Sequence, residues 1–499
     1  MKIFSAAFGP HDHNTYDGVW HNQRERYTRR KHNIPWHYDA YPHHSTADKM
    51  NKNDDSAGQE FYDKYWSPSS CELFAFTTTI GGVQQMPKLA ALKDNIDWEP
   101  NHLWDYKIIN DNLYYIDHHQ SHAAYAYLTS GYKQSDILAI DGRGYKYNTL
   151  FFDKDGKPHD LKLCIGELWD WFSKELGFGT LGASKIMGLA GYGKYDPSMH
   201  MLLDQYWDAE EKNWELLKQC VESLTPVTVA YTLQKATEER IIETITPLQT
   251  SENICVAGGV AYNGYVNELL IQNWKQVHVP PAPGDEGQSV GTYMHADFTL
   301  NNNTHVPNTY AGNEYTFIGE EALDIVEVAQ AIADGKIVGW FQGKSESGHR
   351  ALGNRSILAD PRNPNIKDII NQTIKHREDF RPFAPSVLVE HYQDYFETNQ
   401  PSPYMSRIVK VKSQVRSEIP GVVHVDNTSR IQTVDQKDNL MYHKLISEFY
   451  KITGVPMVLN TSFNCQEPIV ETPEQAINTF NNTAMDLLVI NDYILRKMG

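Results

Sequence analysis

A polar, asparagine-rich segment divides this chain into two parts. The stretch LNNNTHVPNTYAGNEYTF, between about Thr299 and Phe317, shows no apolar periodicity and has the composition of a linker. The chain has 499 residues, and a single hydrophobic core stops growing at about 250–300 residues. We therefore predict two domains, at residues 1–310 and 318–499.

Composition and charge exclude several classes of protein. Hydrophobic residues make up 40% and charged residues 22% of the chain, values typical of a globular protein. The net charge of -18 argues against tight nucleic-acid binding, which needs a basic surface. No apolar run approaches the roughly 18 residues of a membrane span, and the first strand becomes polar too early for a signal peptide. Five scattered cysteines without a CxxC pair indicate reduced thiols, so we expect a cytoplasmic protein.

Two histidines and two aspartates are candidate metal ligands. The segment LYYIDHHQSHAAYAYLTSG predicts a strand followed by a helix, on which His118 and His122 would share one face. Asp141 ends the predicted strand ILAI, and Asp285 lies in the loop PGDEG. Mixed imidazole and carboxylate ligands suit iron, manganese or zinc rather than calcium. The alternatives are a coincidental histidine pair on a helix surface and two aspartates that cap turns.

A glycine turn is the candidate nucleotide site. Gly258 and Gly259 follow the buried strand ICVA, where the absence of side chains lets backbone N–H groups approach a phosphate. Asn263 lies in the next helical turn and could hydrogen-bond a nucleotide. Close packing of a helix against a strand would explain the same two glycines.

The C-terminal part carries a dense group of basic residues. Repeated arginine favours a planar oxyanion ligand such as a phosphate, although solvated surface arginines are the common alternative. Interleaved Gly, Ala and Pro favour a pocket here. Downstream, the strand VPMVL runs into Ser462 and Asn464, small polar residues at a strand end. The basic residues of this group are Arg350, Arg355, Arg362, Lys375, Arg377 and Arg381.

Seven segments of the chain, from about Leu113 to Val489, form a pattern in a fixed order. They are HHQSHAA, DGRG, GGVAYNG, SGHRALGNRSILADPR, KHREDFRPFAPSVL, HVDNTSRIQTV and NTSFNCQEPIVETPEQA. Together they resemble the O-carbamoyltransferases of the nodulation-factor, cephamycin and aminoglycoside type. The resemblance implies a mixed α/β chain. Its N-terminal domain would be of the actin and sugar-kinase type, similar to threonylcarbamoyl-transferring enzymes, and its C-terminal domain would be YrdC-like.

The same resemblance implies an activity and roles for the candidate residues. Carbamoyl phosphate and ATP would give carbamoyl adenylate, and the carbamoyl group would pass to a hydroxyl of a sugar, a nucleotide or another small molecule. The metal would be iron(II), held by His118, His122, Asp141 and Asp285, with Mg²⁺ accompanying ATP. Gly258, Gly259 and Asn263 would contact the adenylate, and His11 would act as general base. Carbamoyl phosphate would be bound by Arg350, Lys375, Arg381, Arg430, Ser462 and Asn464.

The chain departs from this family near its N-terminus. The residues after His11 and the stretch 36–70 lack a clear counterpart, which leaves the acceptor open. Two other functions are compatible with the fold: a threonylcarbamoyl-type tRNA enzyme, which the acidic net charge disfavours, and a nonenzymatic nucleotide-binding regulator, which the full set of basic residues disfavours. The resemblance to related enzymes is compatible with a homodimer.

Overall fold

The computed structural model describes most of the chain from residue 97 onward and four short strands before it. The predicted general base His11 and the stretch 36–70 lie outside the described residues. In the described part, no helix is long and apolar enough to cross a membrane. The described residues are 3–8, 13–16, 21–23, 73–78, 97–110, 113–142, 144, 146–180, 182–208 and 213–497.

The described residues form three β-sheets, of which the first has six strands in the order β3-β2-β1-β4-β6-β5. Neighbours among β1, β2 and β3 pair antiparallel as a meander, whereas β4 lies parallel to both β1 and β6. These strands are β1 Ile3–Phe8, β2 His13–Tyr16, β3 His21–Gln23, β4 Leu73–Thr78, β5 Lys107–Asn110 and β6 Leu113–Tyr115.

The second sheet repeats this topology, with its five strands in the order β11-β10-β7-β8-β9. Again the first three strands form an antiparallel meander, and two later strands add in parallel beside the first. The repeat is absent from the sequence because a topology constrains the order of elements and not the identity of residues. The strands are β7 Asp136–Ile140, β8 Thr149–Phe152, β9 Pro158–Asp160, β10 Asn253–Ala257 and β11 Gln276–His278.

Two helices that each follow the last parallel strand of a sheet pack against each other. In helix Gln288–Asn301, a Cβ added at Gly291 would lie 2.1 Å from the Ser121 carbonyl oxygen of helix His118–Ser130, so only glycine fits. Ser121 Oγ donates a hydrogen bond to the Gln288 carbonyl at 2.8 Å. The contact joins the two sheets into one domain.

Six further helices cover the second sheet and its loops. They supply Ile, Leu, Phe and Trp side chains to a core on one face of that sheet. The last residues of helix Gln288–Asn301 lie in the segment predicted as linker, so the irregular connection begins only after Asn301. The six helices are Ile165–Glu175, Ala183–Ala190, Pro197–Asp208, Trp214–Ser223, Pro226–Ile245 and Gly264–Leu269.

The C-terminal part forms a nine-stranded mixed sheet in the order β12-β20-β19-β13-β14-β18-β15-β17-β16. It has a separate hydrophobic core. Its helices are Ile325–Ala333, Ile366–Ile370, Tyr392–Tyr395, Leu440–Thr453 and Pro473–Asn481. Its strands are β12 Glu321–Ala322, β13 Val338–Phe341, β14 Arg355–Ala359, β15 Ala384–Leu388, β16 Arg407–Lys410, β17 Thr428–Val434, β18 Met457–Ser462, β19 Leu487–Ile490 and β20 Tyr493–Arg496.

Polar contacts join the N-terminal sheets and helices to the C-terminal sheet. Lys185 forms an ion pair with Glu378 at 2.7 Å, and Tyr265 donates a hydrogen bond to Asp426 at 2.7 Å. Asn267 donates to the Ser406 carbonyl at 2.7 Å. These contacts fix the opening between the two parts, where the candidate site lies.

Candidate active site

A cavity of about 720 Å³ opens between the N-terminal sheets and the C-terminal sheet. Asp141, Gly258 and Asp285 follow the parallel strands β7, β10 and β11, whose carboxyl ends meet at this edge of the second sheet. Loops and strand ends of the third sheet form the opposite wall. Of the predicted site residues, those that line the cavity are Asp141, Gly259, Asn263, Asp285, Arg350, Arg381, Arg430, Ser462 and Asn464.

The four predicted metal ligands come together in one cluster. Their ligand atoms all lie within 4.8 Å of one another. Asp141 Oδ2 is 2.9 Å from His118 Nε2, and Asp285 Oδ1 is 3.3 Å from His118 Nε2 and 3.4 Å from His122 Nε2. A capping box between Asp117 and Gln120 starts the helix at His118, so both histidines lie on its first turns.

Charge is balanced inside this cluster. Burial alone would lower the pKa of His118, but the charge of Asp285 and hydrogen bonds to Asp141 and Asp285 outweigh it and raise the pKa to about 10. Burial alone would raise the pKa of Asp141, but hydrogen bonds to His118 and His122 bring that pKa well below its usual range. Without a metal, protons on the histidines therefore balance the charges of the aspartates. A bound cation would take the place of these protons.

The donor set fits a divalent metal ion. Two imidazoles and two carboxylates converge from one helix and two loops, and the buried His122 Nε2 lies 3.4 Å from Asp285 Oδ1 and 3.8 Å from Asp141 Oδ2. Imidazole and carboxylate donors that meet at one buried point suit a transition-metal ion.

The amide groups of the glycine turn after β10 form hydrogen bonds within the protein. Gly258 has φ of 97°, and a Cβ there would lie 2.0 Å from the Ile140 carbonyl oxygen, so the turn requires glycine. Its N–H donates to the Pro283 carbonyl at 2.6 Å, and the Gly259 N–H donates to Asp141 Oδ1 at 2.8 Å. Both amide groups thus hold the loops of the metal cluster in position, while Gly259 still lines the cavity.

Asn263 is fixed by an amide pair with Gln234. The two side chains exchange hydrogen bonds of 3.0 and 3.1 Å, and Gln234 also donates to Glu238 at 2.9 Å. Asn263 caps helix Gly264–Leu269 by accepting from the Val266 N–H. It lines the cavity as a rigid polar group.

Four arginines gather on the opposite wall. Burial lowers the pKa of Arg430 well below its usual range, and the charges of Arg350 and Arg381 lower it further. Burial together with the charge of Arg381 lowers the pKa of Arg377 to about 9. Within the described residues, Arg350, Arg377 and Arg430 form no ion pair, and Arg381 lies 3.9 Å from Glu378. Crowded guanidinium groups with so little compensation make this wall a candidate site for an anion.

Lys375 lies behind this wall. It ends a π-helical turn, Asn371–Lys375, and its ammonium donates to the Ser462 carbonyl and to both the carbonyl and Oδ1 of Asn464. These bonds fix the loop that follows β18, so Ser462 and Asn464 face the cavity while Lys375 does not line it.

Two arginines of the predicted basic group have structural roles instead. Arg355 is fully buried, donates to the carbonyls of Gln342 and Gly343, and stacks 3.6 Å over the Phe341 ring. Arg362 makes an ion pair of 2.7 Å with Asp360. Neither lines the cavity, because β14 and the turn after it direct both side chains elsewhere.

The structure adds residues that the sequence interpretation missed. Tyr262, Glu286 and His349 lie between the metal cluster and the arginines, and Trp171 and Trp214 form an aromatic wall with ring centroids 5.2 Å apart. Tyr262 directly precedes Asn263 and Glu286 directly follows Asp285, so proximity in sequence to predicted ligands was the one available signal. No pattern in the sequence indicated that the two tryptophans would lie at the cavity.

Comparison with known proteins identifies relatives of both parts of the chain. Residues 88–294 match the family model described as "Carbamoyltransferase N-terminus", and residues 329–497 match "Carbamoyltransferase C-terminus". The four clustered metal-ligand candidates fall in the first match and the basic residues in the second.

Curated relatives cover most of the chain. Nodulation protein NolO of Bradyrhizobium diazoefficiens is 33% identical, over 77% of this chain and 79% of its own. Nodulation protein NolNO of Sinorhizobium fredii is 35% identical, over 77% of this chain and 64% of its own. An uncharacterized protein of Synechocystis is 34% identical, over 77% and 76%. The crystal structure of HypF from T. kodakarensis superposes with a TM-score of 0.34 at 13% identity over 60% of this chain and 48% of its own, too low to support an argument.

Proposed function

Because the chain belongs to the carbamoyltransferase family, we propose that it activates carbamoyl phosphate with ATP and transfers the carbamoyl group to a hydroxyl of a small molecule. Carbamoyl phosphate, ATP and water would give carbamoyl adenylate, phosphate and diphosphate. The supporting observation is the group of buried arginines, with Glu378 as their one nearby ion-pair partner among the described residues, facing the same cavity as Asp141 and Asp285.

The arginine wall would bind and cleave carbamoyl phosphate. Arg350 and Arg430 lack ion-pair partners among the described residues, so their donors are available to phosphate oxygens. Ser462 and Asn464, fixed by Lys375, would hydrogen-bond the carbamoyl end. Hydrolysis of the carbamoyl–phosphate bond would release phosphate and leave a carbamate held in this pocket.

The bond between the carbamate and the α-phosphate of ATP would form in the same C-terminal, YrdC-like half. A carbamate oxygen would attack the α-phosphorus of ATP, and the bond to diphosphate would break. Arg381, also on this wall, would neutralise charge that develops on the leaving diphosphate. Mg²⁺ would accompany the nucleotide, as with other phosphoryl groups.

The N-terminal half, of the actin and sugar-kinase type, would carry out the transfer. Gly259 and Asn263 would face the nucleotide, and the hydroxyl oxygen of a sugar, nucleotide or other acceptor would attack the carbamoyl carbon with AMP leaving. His11, outside the described residues, is proposed as the base that removes the hydroxyl proton. We expect a cytoplasmic protein, and a homodimer is compatible with this proposal.

His118, His122, Asp141 and Asp285 would hold a divalent metal, for which we propose iron(II). When bound, such an ion supplies positive charge that polarises a carbonyl or phosphoryl oxygen. The Gly258 and Gly259 amide groups would keep the loops of these ligands together.

The proposal is tested by diphosphate release from purified protein given ATP, carbamoyl phosphate and iron(II), without an acceptor. We expect release by the wild type and at least about a 100-fold loss in Arg381→Ala, since a charge-assisted contact on a transition state contributes roughly 3 kcal/mol. Arg362→Ala is the matched control, because it removes an arginine of the same sequence group that lies outside the cavity.

Release by the wild type and by Arg362→Ala, but not by Arg381→Ala, would support adenylate formation and justify a screen of acceptors. Equal release by both variants would show that the arginine wall does not take part in the reaction. No release from folded, metal-loaded, ATP-binding protein would overturn the proposed chemistry and favour a regulator.

A further inference from the structure

One aromatic residue lies between the two charged clusters of the cavity. Tyr262 belongs to the turn that follows Gly259, in the N-terminal half, yet its ring contacts two residues of the C-terminal loop before β14. Neither the family resemblance nor the catalytic scheme above gives this side chain a role.

Arg350 is supported by this ring. Its guanidinium carbon lies 5.0 Å from the ring centroid of Tyr262, and its Nε is buried without a hydrogen bond. Among the described residues it has no ion-pair partner. A ring face attracts a guanidinium without occupying its N–H donors, which a carboxylate would do. The support therefore leaves Arg350 available to an anion.

Tyr262 is itself anchored to the loop of the metal cluster. Its phenol O–H donates a hydrogen bond to Glu286, the residue directly after Asp285. Glu286 is 2% exposed and also accepts from the Gly284 N–H at 3.2 Å. The His349 imidazole stacks on the Tyr262 ring with centroids 5.6 Å apart and planes 8° apart. The ring is thus held by stacking and by the hydrogen bond of its hydroxyl.

We propose that Tyr262 is a positioning residue that orients Arg350 for the phosphate of its substrate and links that arginine to the loop that carries Asp285. The inference rests on the proposed use of carbamoyl phosphate. It adds a direct mechanical connection, Asp285–Glu286–Tyr262–Arg350, between the half of the site that would transfer the carbamoyl group and the half that would activate it.

The first test measures binding of inorganic phosphate to the full chain by calorimetry. Tyr262→Leu removes the ring, and we expect phosphate affinity to fall about 2- to 30-fold, the range of a partly buried cation–π contact. In an Arg350→Ala background the same change should cause no further loss, because the residue acts through Arg350. In the diphosphate assay, KM for carbamoyl phosphate should rise by a similar factor while KM for ATP stays constant.

Tyr262→Phe keeps the ring and breaks only the bond to Glu286, so it serves where the leucine variant folds poorly. We expect it to weaken phosphate binding less than Tyr262→Leu. Its matched control is Tyr395→Phe, which breaks another tyrosine–glutamate hydrogen bond, to Glu418, away from the cavity. That control should bind phosphate as the wild type does.

Three results would overturn the inference: unchanged phosphate affinity in both Tyr262 variants, a loss that adds fully to that of Arg350→Ala, or no phosphate binding by the wild type. Phosphate binding with the expected non-additivity but no diphosphate release would retain the role of Tyr262 and overturn the proposed function instead.

Discussion

The two charged clusters that face the cavity differ in how their buried charge is compensated. In the metal-ligand cluster, two histidines and two aspartates lie within 4.8 Å and compensate each other. On the facing wall, Arg350, Arg377 and Arg430 have no ion-pair partner in the described part of the chain. The first cluster is electrically complete before a ligand arrives, whereas the second is complete only with an anion.

This difference predicts opposite effects of removing one charge from each cluster. A buried pair that loses one partner leaves an uncompensated charge, which costs about 3–5 kcal/mol. A crowded like-charge group that loses one member is relieved of repulsion. Folding stability therefore separates the two clusters even before any activity is measured.

The largest effect is expected for Arg430→Ala. Diphosphate release should fall by at least about 100-fold, because Arg430 is one of the arginines proposed to bind the phosphate. The melting temperature of the ligand-free variant should nevertheless equal or exceed that of the wild type, since burial and the charges of Arg350 and Arg381 already lower the pKa of Arg430. The diphosphate assay checks the first part, and scanning calorimetry of the ligand-free proteins checks the second.

Phosphate should raise the melting temperature of the wild type more than that of Arg430→Ala. A strongly destabilised Arg430→Ala protein would break the comparison, because it would mean that this guanidinium holds the fold together rather than a ligand.

A smaller effect of opposite sign is expected for Asp141→Asn. The amide cannot balance the histidines, and we expect a loss of about 3 kcal/mol in the free energy of unfolding of the metal-free protein. Equilibrium denaturation in the presence of a chelator measures it. Metal content after dialysis against iron(II), manganese(II) or zinc(II) should fall as well.

His200→Ala provides the control for metal content. His200 lies 3.8 Å from Asp204 and 3.7 Å from Glu239, but it is not part of the clustered ligands. Metal content that falls equally in Asp141→Asn and His200→Ala would contradict a specific site at the cluster.

The remaining effect concerns pH and compares two buried histidines of the N-terminal part. Burial lowers the pKa of His295 to about 4, whereas the carboxylates raise that of His118 to about 10. His295 is neutral and satisfied: it accepts from the Tyr114 hydroxyl and donates to the Leu103 carbonyl. The unfolded chain takes up a proton near pH 6.5 that folded His295 refuses until about pH 4.

The contribution of His295 is therefore fully present above pH 6.5 and is lost as pH falls toward 4, by about 3 kcal/mol at most. Melting temperatures from pH 7 to pH 4 measure this loss. The decline should be shallower in His295→Gln, and equal slopes would show that His295 does not set the acid sensitivity.

Local patterns predicted the elements well. The alternation around LYYIDHHQSHAAYAYLTSG gave the strand and helix at Leu113–Tyr115 and His118–Ser130, and the segment ICVAGG gave β10 and its turn. Such patterns depend on neighbours in sequence, so they can be interpreted without knowledge of the fold. The duplicated sheet topology was invisible, because it depends on which distant strands pair.

For the site, the sequence showed which types of side chain are available but not which of them face the cavity. Arg350 and Arg355 differ by five positions and have the same side chain, yet one faces the cavity and the other is enclosed by backbone carbonyls. Arg350 lies in the loop before β14 and Arg355 is the first residue of that strand, and only the packing of loop and sheet decides which side chain meets the core and which meets a ligand.

The sequence by itself determined the family and the kinds of group available for chemistry, because motifs of several residues in a fixed order record them. Only the tertiary structure decided which charges compensate each other. Tyr262 and Glu286 meet 24 residues apart, and Tyr262 meets Arg350 across the two halves, since charge balance depends on distances and burial that arise when separate strand ends converge on one cavity.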